Sequence, residues 1–305
     1  ARHRVGQPRV QRELRRLAGR ADEQQGCGGD RQARTLGPPG HGPQLQLLSA
    51  AGHELAQREA ALAAAVAALH AGQIVALKGL GGFQLLADAT DAAAVARLRQ
   101  RKHRPEKPFA VLFADVEELR RHCELRAEEE RALASPESPI LLVRRRSATG
   151  AGRPGDQISR DAVGVATGSA GVEVLARRPG VVVSARQVAA ECAPGNPYLG
   201  VLLPYTPLHL VLMDACRRPL VCTSGNLVDE PMCIATAEAL ERLRGIADFF
   251  LVHDRPILRP VDDSVARLGS NGLQLLRRAR GFAPRPLLLP GEGPPALALG
   301  GHLKS

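Results

Sequence analysis

Lysine is rare in this chain: 41 cationic side chains include only four lysines, so arginine is the default and each surviving ammonium asks for a reason. Three of the four fall in two short segments punctuated by glycine or proline. Lys78 opens Lys78-Gly79-Leu80-Gly81-Gly82-Phe83, and Lys102 and Lys107 lie in Arg101-Lys102-His103-Arg104-Pro105-Glu106-Lys107-Pro108-Phe109. An ammonium is a compact charge suited to a phosphate oxygen, whereas a guanidinium such as that of Arg104 offers a planar fork, and polyphosphate sites commonly use both. A solvated basic turn is the plain alternative.

Other segments carry compatible chemistry. The glycines after Lys78 can turn backbone N–H groups toward an anion. Their spacing fits neither GxGxxG nor GxxxxGK[ST], so a dinucleotide fingerprint or a P-loop is excluded. Thr223-Ser224-Gly225-Asn226 follows an apolar run, and its short polar side chains suit either phosphate or ribose at a strand end, or a self-capped turn. Asp262-Asp263-Ser264 can serve Mg²⁺ through water, a nucleotide hydroxyl, or merely a strand entry. His209 is a candidate substrate contact or a structural histidine. No HExxH pattern or Ser/His/Asp order appears, so zinc hydrolysis and covalent acyl transfer have no support.

The elements that must position these residues alternate in type. Glu54 to Leu69 predicts a helix of strong formers stopped by Gly72. Ile74–Leu77 reads as a buried strand, followed by a helix capped by Asp91, a strand at 109–113, and a helix opened by Asp115 with Glu118 at capping-box spacing. Further strands are expected at 139–143, 200–203, 219–222, 249–252, 264–268 and 273–276, with helices at 207–216 and 236–246. Alternation early and closer strands late predict a mixed α/β fold, a twisted mixed sheet covered by helices. Residues 1–50 lack a sustained period after a short helix near 11–17 and read as loosely ordered. Residues 144–190, rich in Gly and Arg, read as an insertion.

The net charge of +10 is not spread over this pattern. Residues 1–34 hold nine Arg against four acids and 144–190 hold eight against three, so each stretch carries +5 and the remainder balances. Nucleic acid is therefore not the expected partner. Six cysteines without a CxxC pair predict reduced, buried thiols. No apolar run reaches membrane-span length and no secretory signal is visible, which makes the cytoplasm the expected compartment.

Taken in order, GQIVALKGLGGFQLLADA, VARLRQRKHRPEKPFAVLF, LGVLLPYTPLHLVL, TSGNLVDEP, IADFFLVHDRPILRPVDDSV and RRARGFAPRPL resemble the YrdC-like domain of HypF-type hydrogenase-maturation carbamoyltransferases. The resemblance covers about 71–143 and 192–290 and implies a YrdC/RibB-like fold. It also implies a reaction: carbamate and MgATP give carbamoyl-adenylate and pyrophosphate, ahead of carbamoyl transfer to HypE. The family's KxR signature falls on Lys102 and Arg104, and its SxN signature on Ser224 and Asn226. By this resemblance Lys102, Arg104 and Lys107 hold phosphates with Thr223, Ser224 and Asn226, and Lys78 faces the carbamoyl end. Replacing Lys102 by Ala is then expected to weaken ATP binding with little change in melting temperature.

The resemblance also has gaps. The family's CPxCGP zinc segment aligns with Pro38-Pro39-Gly40-His41-Gly42-Pro43, so Pro38 and His41 replace its cysteines and zinc is expected to be lost. The domain map reads 1–50 as a degenerate remnant of that segment, 51–290 as the YrdC-like domain with its insertion at about 144–190, and 291–305 as the truncated start of a transferase domain. Rival readings are a threonylcarbamoyl-adenylate synthase, an RNA-binding YrdC-family protein, and an inactive remnant.

Overall fold

A computed structural model describes residues 43–146, 187–227, 230–286, 291 and 293–294. The expected zinc remnant with Pro38 and His41, the short helix near 11–17, residues 147–186 of the expected insertion, Cys27, and most of 291–305 lie outside the described residues.

Among the described residues, twelve strands form one mixed sheet. They are β1 (Leu45–Ser49), β2 (Glu54–Gln57), β3 (Val75–Lys78), β4 (Phe83–Asp88), β5 (Ala110–Leu112), β6 (Cys123–Glu124), β7 (Ile140–Arg145), β8 (Tyr198–Leu202), β9 (Leu220–Ser224), β10 (Phe249–His253), β11 (Val265–Gly269) and β12 (Gly272–Arg277). Their order is β12-β11-β7-β8-β5-β9-β4-β3-β10-β1-β2, with β6 beside β7. Three of the pairings are parallel, β10 with β3, β11 with β7 and β5 with β8. The helices are α1 (Arg58–His70), α2 (Ala92–Arg101), α3 (Val116–His122), α4 (Ala127–Leu133), α5 (Pro207–Cys216) and α6 (Thr236–Arg242), with a 3-10 turn at Ala190–Cys192.

Period-two alternation sorts the strand side chains into two apolar layers. Phe83, Leu85 and Ala87 of β4 join Ala76, Val221 and Phe250 in the layer packed by α2, α3, α4 and α6. Leu86, Val75, Leu77 and Leu251 join the layer packed by α1 and α5. A strand covered on both faces reads as an unbroken apolar run, as β3 and β10 do. Each fully buried side chain of this kind, Phe83 and Phe250 among them, contributes roughly 1.5–3 kcal/mol.

The expected mixed α/β sheet covered by helices is the observed fold, and several boundaries differ from expectation. The helix expected from Glu54 begins at Arg58, because Glu54–Gln57 pairs antiparallel with β1 and that tertiary pairing overrides local helix propensity. Residues 45–49, expected to be loose, form a strand between β10 and β2 with Leu47 and Leu48 buried. Strand β4 was not anticipated, yet it lies between β3 and β9. At the two ends of the expected insertion, Arg144 and Arg145 continue β7 and Val188 is buried in the core. Asp91 caps α2 as expected, accepting from the N–H groups of Ala93 and Ala94. Asp115 caps α3 through the Glu118 N–H, while the Glu118 carboxylate reaches back to Ala114 N–H.

Candidate active site

Strand register brings the chemistry-bearing segments to one end of the sheet. Lys78, the last residue of β3, pairs with Phe83, and Gln84 pairs with Ser224, the last residue of β9. Beyond β9 the chain turns tightly against β4: Gly225 N–H donates to Phe83 O at 2.6 Å, and Cys233 N–H donates to Gly225 O at 3.0 Å. A Cβ on Gly225 would stand 2.6 Å from Phe83 Cβ and 2.8 Å from its backbone carbon, so only glycine allows this approach.

Lys102 sits where α2 ends and its side chain is buried. Its Nζ donates to Ser224 O at 2.7 Å, Asn226 O at 2.5 Å and Asn226 Oδ1 at 2.8 Å. Asn226 Oδ1 also accepts from Ser224 Oγ at 2.7 Å, and Asn226 Nδ2 donates to Glu230 O at 2.6 Å. Arg104 Nη1 donates to Thr223 Oγ1 at 3.1 Å, and the same guanidinium donates to the Lys107 and Pro108 carbonyls. The lysine–arginine and serine–asparagine pairs, about 120 residues apart in sequence, thus form one hydrogen-bonded unit. Lys107 is exposed on the same loop.

These acceptors are neutral oxygens, so positive charge accumulates here. Burial, then the neighbouring charges of Arg104 and Lys107, push the Lys102 ammonium down to about 7. Burial, then Arg99 and Arg277, push the Arg104 guanidinium down to about 10. Three oxygen acceptors oppose the loss of the Lys102 proton, because a neutral amine has only two N–H groups. A self-repelling cluster of this kind is the electrostatic complement of a polyanion.

The remaining expected residues make their bonds elsewhere. Lys78 Nζ is buried and donates to His253 O at 2.9 Å, and burial lowers its pKa against the opposing charge of Asp254. The glycine loop is closely packed: Gly79 N–H turns inward to Gly82 O, and a Cβ on Gly81 would stand 2.5 Å from Val261 O. His209 is fully buried in α5 with its N–H capped by Thr206, and its Nε2 lies 2.8 Å from Gln84 Oε1. Because that oxygen only accepts, Nε2 carries the proton, and burial keeps the ring neutral by lowering its pKa to about 4. Gln84 Nε2 donates to the Tyr205 hydroxyl at 2.5 Å, and that hydroxyl bonds Asp263. Asp263 also accepts from Arg280 at 2.9 Å, and Arg280 lies 3.7 Å over the Tyr205 ring.

Gln84, itself the strand partner of Ser224, therefore links this second network to the end of β9. With its carboxylate engaged by Arg280 and Tyr205, and burial raising its pKa, Asp263 does not offer the free, hydrated carboxylate that Mg²⁺ favours. Among the described residues no group of three or more His, Cys, Asp or Glu could hold a metal. The donor set does not fit a protein-built Mg²⁺ cage. Five cysteines, Cys123, Cys192, Cys216, Cys222 and Cys233, are buried free thiols, their pKa values raised chiefly by burial.

Sequence reasoning missed Arg99, Arg277, Arg280, Gln84 and Tyr205. In a chain where arginine is the common cation, type alone does not single one out. Gln84 lay in a strand that was not anticipated.

The twisted mixed sheet and its lysine–arginine and serine–asparagine unit define a class. The family model for Sua5, YciO and YrdC proteins, described as telomere recombination, matches residues 67–174 and 165–279, and the chain belongs to that family. Within it, the similarity is to the HypF carbamoyltransferases. The HypF of Synechocystis sp. is 40% identical over 263 residues, 86% of this chain and 30% of the relative. A crystal structure of full-length HypF in the phosphate- and nucleotide-bound form superposes with a TM-score of 0.65 at 37% identity, over 82% of this chain and 27% of that one. The chain therefore spans less than a third of these relatives. P. abyssi Sua5 complexed with L-threonine shares the fold, with a TM-score of 0.54 at 19% identity over 73% of this chain and 55% of that one. No helix among the described residues is long and apolar enough to cross a membrane.

Proposed function

We propose that this domain forms carbamoyl-adenylate from carbamate and ATP, with release of pyrophosphate, as one step in carbamoyl transfer to HypE. The observation that carries the reading is the meeting of Lys102 and Arg104 with Thr223, Ser224 and Asn226 in a cationic cluster whose acceptors are neutral oxygens. The similarity to proteins named carbamoyltransferase HypF, one of them solved with phosphate and nucleotide, supports it.

In this reaction a carbamate oxygen bonds the α-phosphorus as the bond to the pyrophosphate oxygen breaks, so the β- and γ-phosphates leave carrying the electron pair. Lys102, Arg104 and Lys107 neutralise charge developing on that leaving group. Ser224 and Asn226, braced by the Lys102 ammonium, hold the strand-end turn against the nucleotide. The family resemblance assigns Lys78, at the same end of the sheet and bonded to His253 O, to the carbamate. Mg²⁺, brought with ATP, would supply screening of phosphate charge, since the described residues do not build a cage for it.

Pyrophosphate release from ATP tests this reading. Release should be stimulated by ammonium bicarbonate, which supplies carbamate by equilibrium, and not by threonine. Stimulation by threonine plus bicarbonate alone would assign the domain to threonylcarbamoyl-adenylate synthesis instead.

A further inference from the structure

Arg99 lies one turn before Lys102 and is buried, with 8% of its surface exposed. Its guanidinium serves five backbone carbonyls from two separate segments. Nη1 donates to the carbonyls of Arg104 at 2.8 Å, Pro105 at 3.2 Å and Lys107 at 3.1 Å. Nε donates to Glu191 O at 2.6 Å, and Nη2 to Cys192 O at 3.2 Å. The carbon of the same guanidinium lies 4.4 Å from the centroid of the Phe109 ring, which also receives Arg104 at 4.9 Å.

A buried cation is costly unless its donors are met, and here the acceptors that meet them are all neutral carbonyls. This one sits beneath the loop that carries Arg104 and Lys107. Its charge also opposes that of Arg104. The planar fork matters, because a lysine has its three donors on one atom and cannot supply five carbonyls from two separate segments.

We propose that Arg99 is a positioning residue for the anion site: it moulds residues 104–108 against the 190–192 turn and, through Phe109, sets Arg104 where it meets Thr223 and a phosphate. The proposal rests on the reading of Lys102 and Arg104 as the phosphate-binding pair. Arg99 touches no phosphate itself, so its effect passes through Arg104.

The test uses Arg99→Lys, which keeps charge and stem, Arg99→Met, Arg104→Met and the two double variants. MgATP affinity is measured by calorimetry, and amide hydrogen exchange is followed at residues 102–109 in the ligand-free protein. Each Arg99 single variant should weaken ATP at least about tenfold, the scale of a lost charge-assisted phosphate contact. In the Arg104→Met background the same change should cost less than about threefold, since residues acting through one another are non-additive. Amides of His103, Arg104 and Phe109 should exchange faster in both single variants. Affinity within about twofold of the parent, or an equal factor with and without Arg104, would overturn the proposal. If the parent binds no ATP, the adenylation reading fails and exchange alone decides: unchanged exchange at 102–109 rejects the positioning role, and faster exchange keeps it.

Discussion

Replacing Lys102 by Met keeps an unbranched stem in the buried channel and deletes the ammonium. Ser224 O, Asn226 O and Asn226 Oδ1 then lose a donor at 2.7, 2.5 and 2.8 Å. A buried acceptor left unsatisfied costs about 1–3 kcal/mol. Ser224 and Asn226 are only half-buried, so water recovers part of this, and removing the cation relieves its repulsion with Arg104 and Lys107. The net expectation is a loss of roughly 1–3 kcal/mol, or a melting temperature lower by about 2–10 °C for a domain of this size. This revises the expectation from sequence that Lys102 could be removed with little thermal consequence. The sign of the pH dependence follows from the lowered pKa. Between about 7 and the ordinary value of 10.5 the unfolded chain holds a proton the folded chain has released, so parent stability rises with pH there. The cost of burying the ammonium is present in full below about 7, and the stability advantage of the parent over the variant should widen from pH 7 to 10. Circular-dichroism melts across that range, with calorimetric ATP titration, check both parts. An unchanged melting temperature with ATP binding lost would refute the bracing role and make Lys102 a ligand contact alone.

Two further outcomes follow from the same geometry. A bound triphosphate stabilises the Lys102 ammonium that the free protein releases near 7, so binding takes up a proton and ATP affinity falls as pH rises above about 7. Calorimetry in buffers of different ionisation enthalpy should detect that uptake, and Lys102→Met should abolish it. Gly225→Ala drives a Cβ to 2.6 Å from Phe83 and should cost about 1–3 kcal/mol while displacing the Ser224–Asn226 turn. Its melting temperature and ATP affinity should therefore fall together, and an unaltered ATP affinity would show that the turn does not bind nucleotide.

The sheet was legible where apolar runs were short and bounded by turn residues. Strands β8, β9, β10 and β11 lie within two residues of their expected positions, and α5 spans the expected Pro207–Cys216. Strand β4 escaped because Phe83–Asp88 is buried on both faces and shows no alternation, so nothing local distinguishes it from the approach to the next helix. Glu54–Gln57 is made of helix formers, and only pairing with β1 makes it a strand. The scarcity of lysine pointed to Lys102 and Lys107, while the equally placed Arg99 and Arg277 were hidden by the abundance of their own residue type. The Tyr205–Gln84–His209 chain is assembled from β4, α5 and the segment before it, and no single stretch of sequence contains it.

Adenylate formation can be followed without any acceptor, as exchange of labelled pyrophosphate into ATP. Exchange should require Mg²⁺ and concentrated ammonium bicarbonate and should disappear when Asn226, whose side chain accepts from Lys102 and Ser224, is replaced by Ala. Exchange that proceeds equally without bicarbonate, or no exchange from a folded sample that binds ATP, would contradict carbamoyl-adenylate formation.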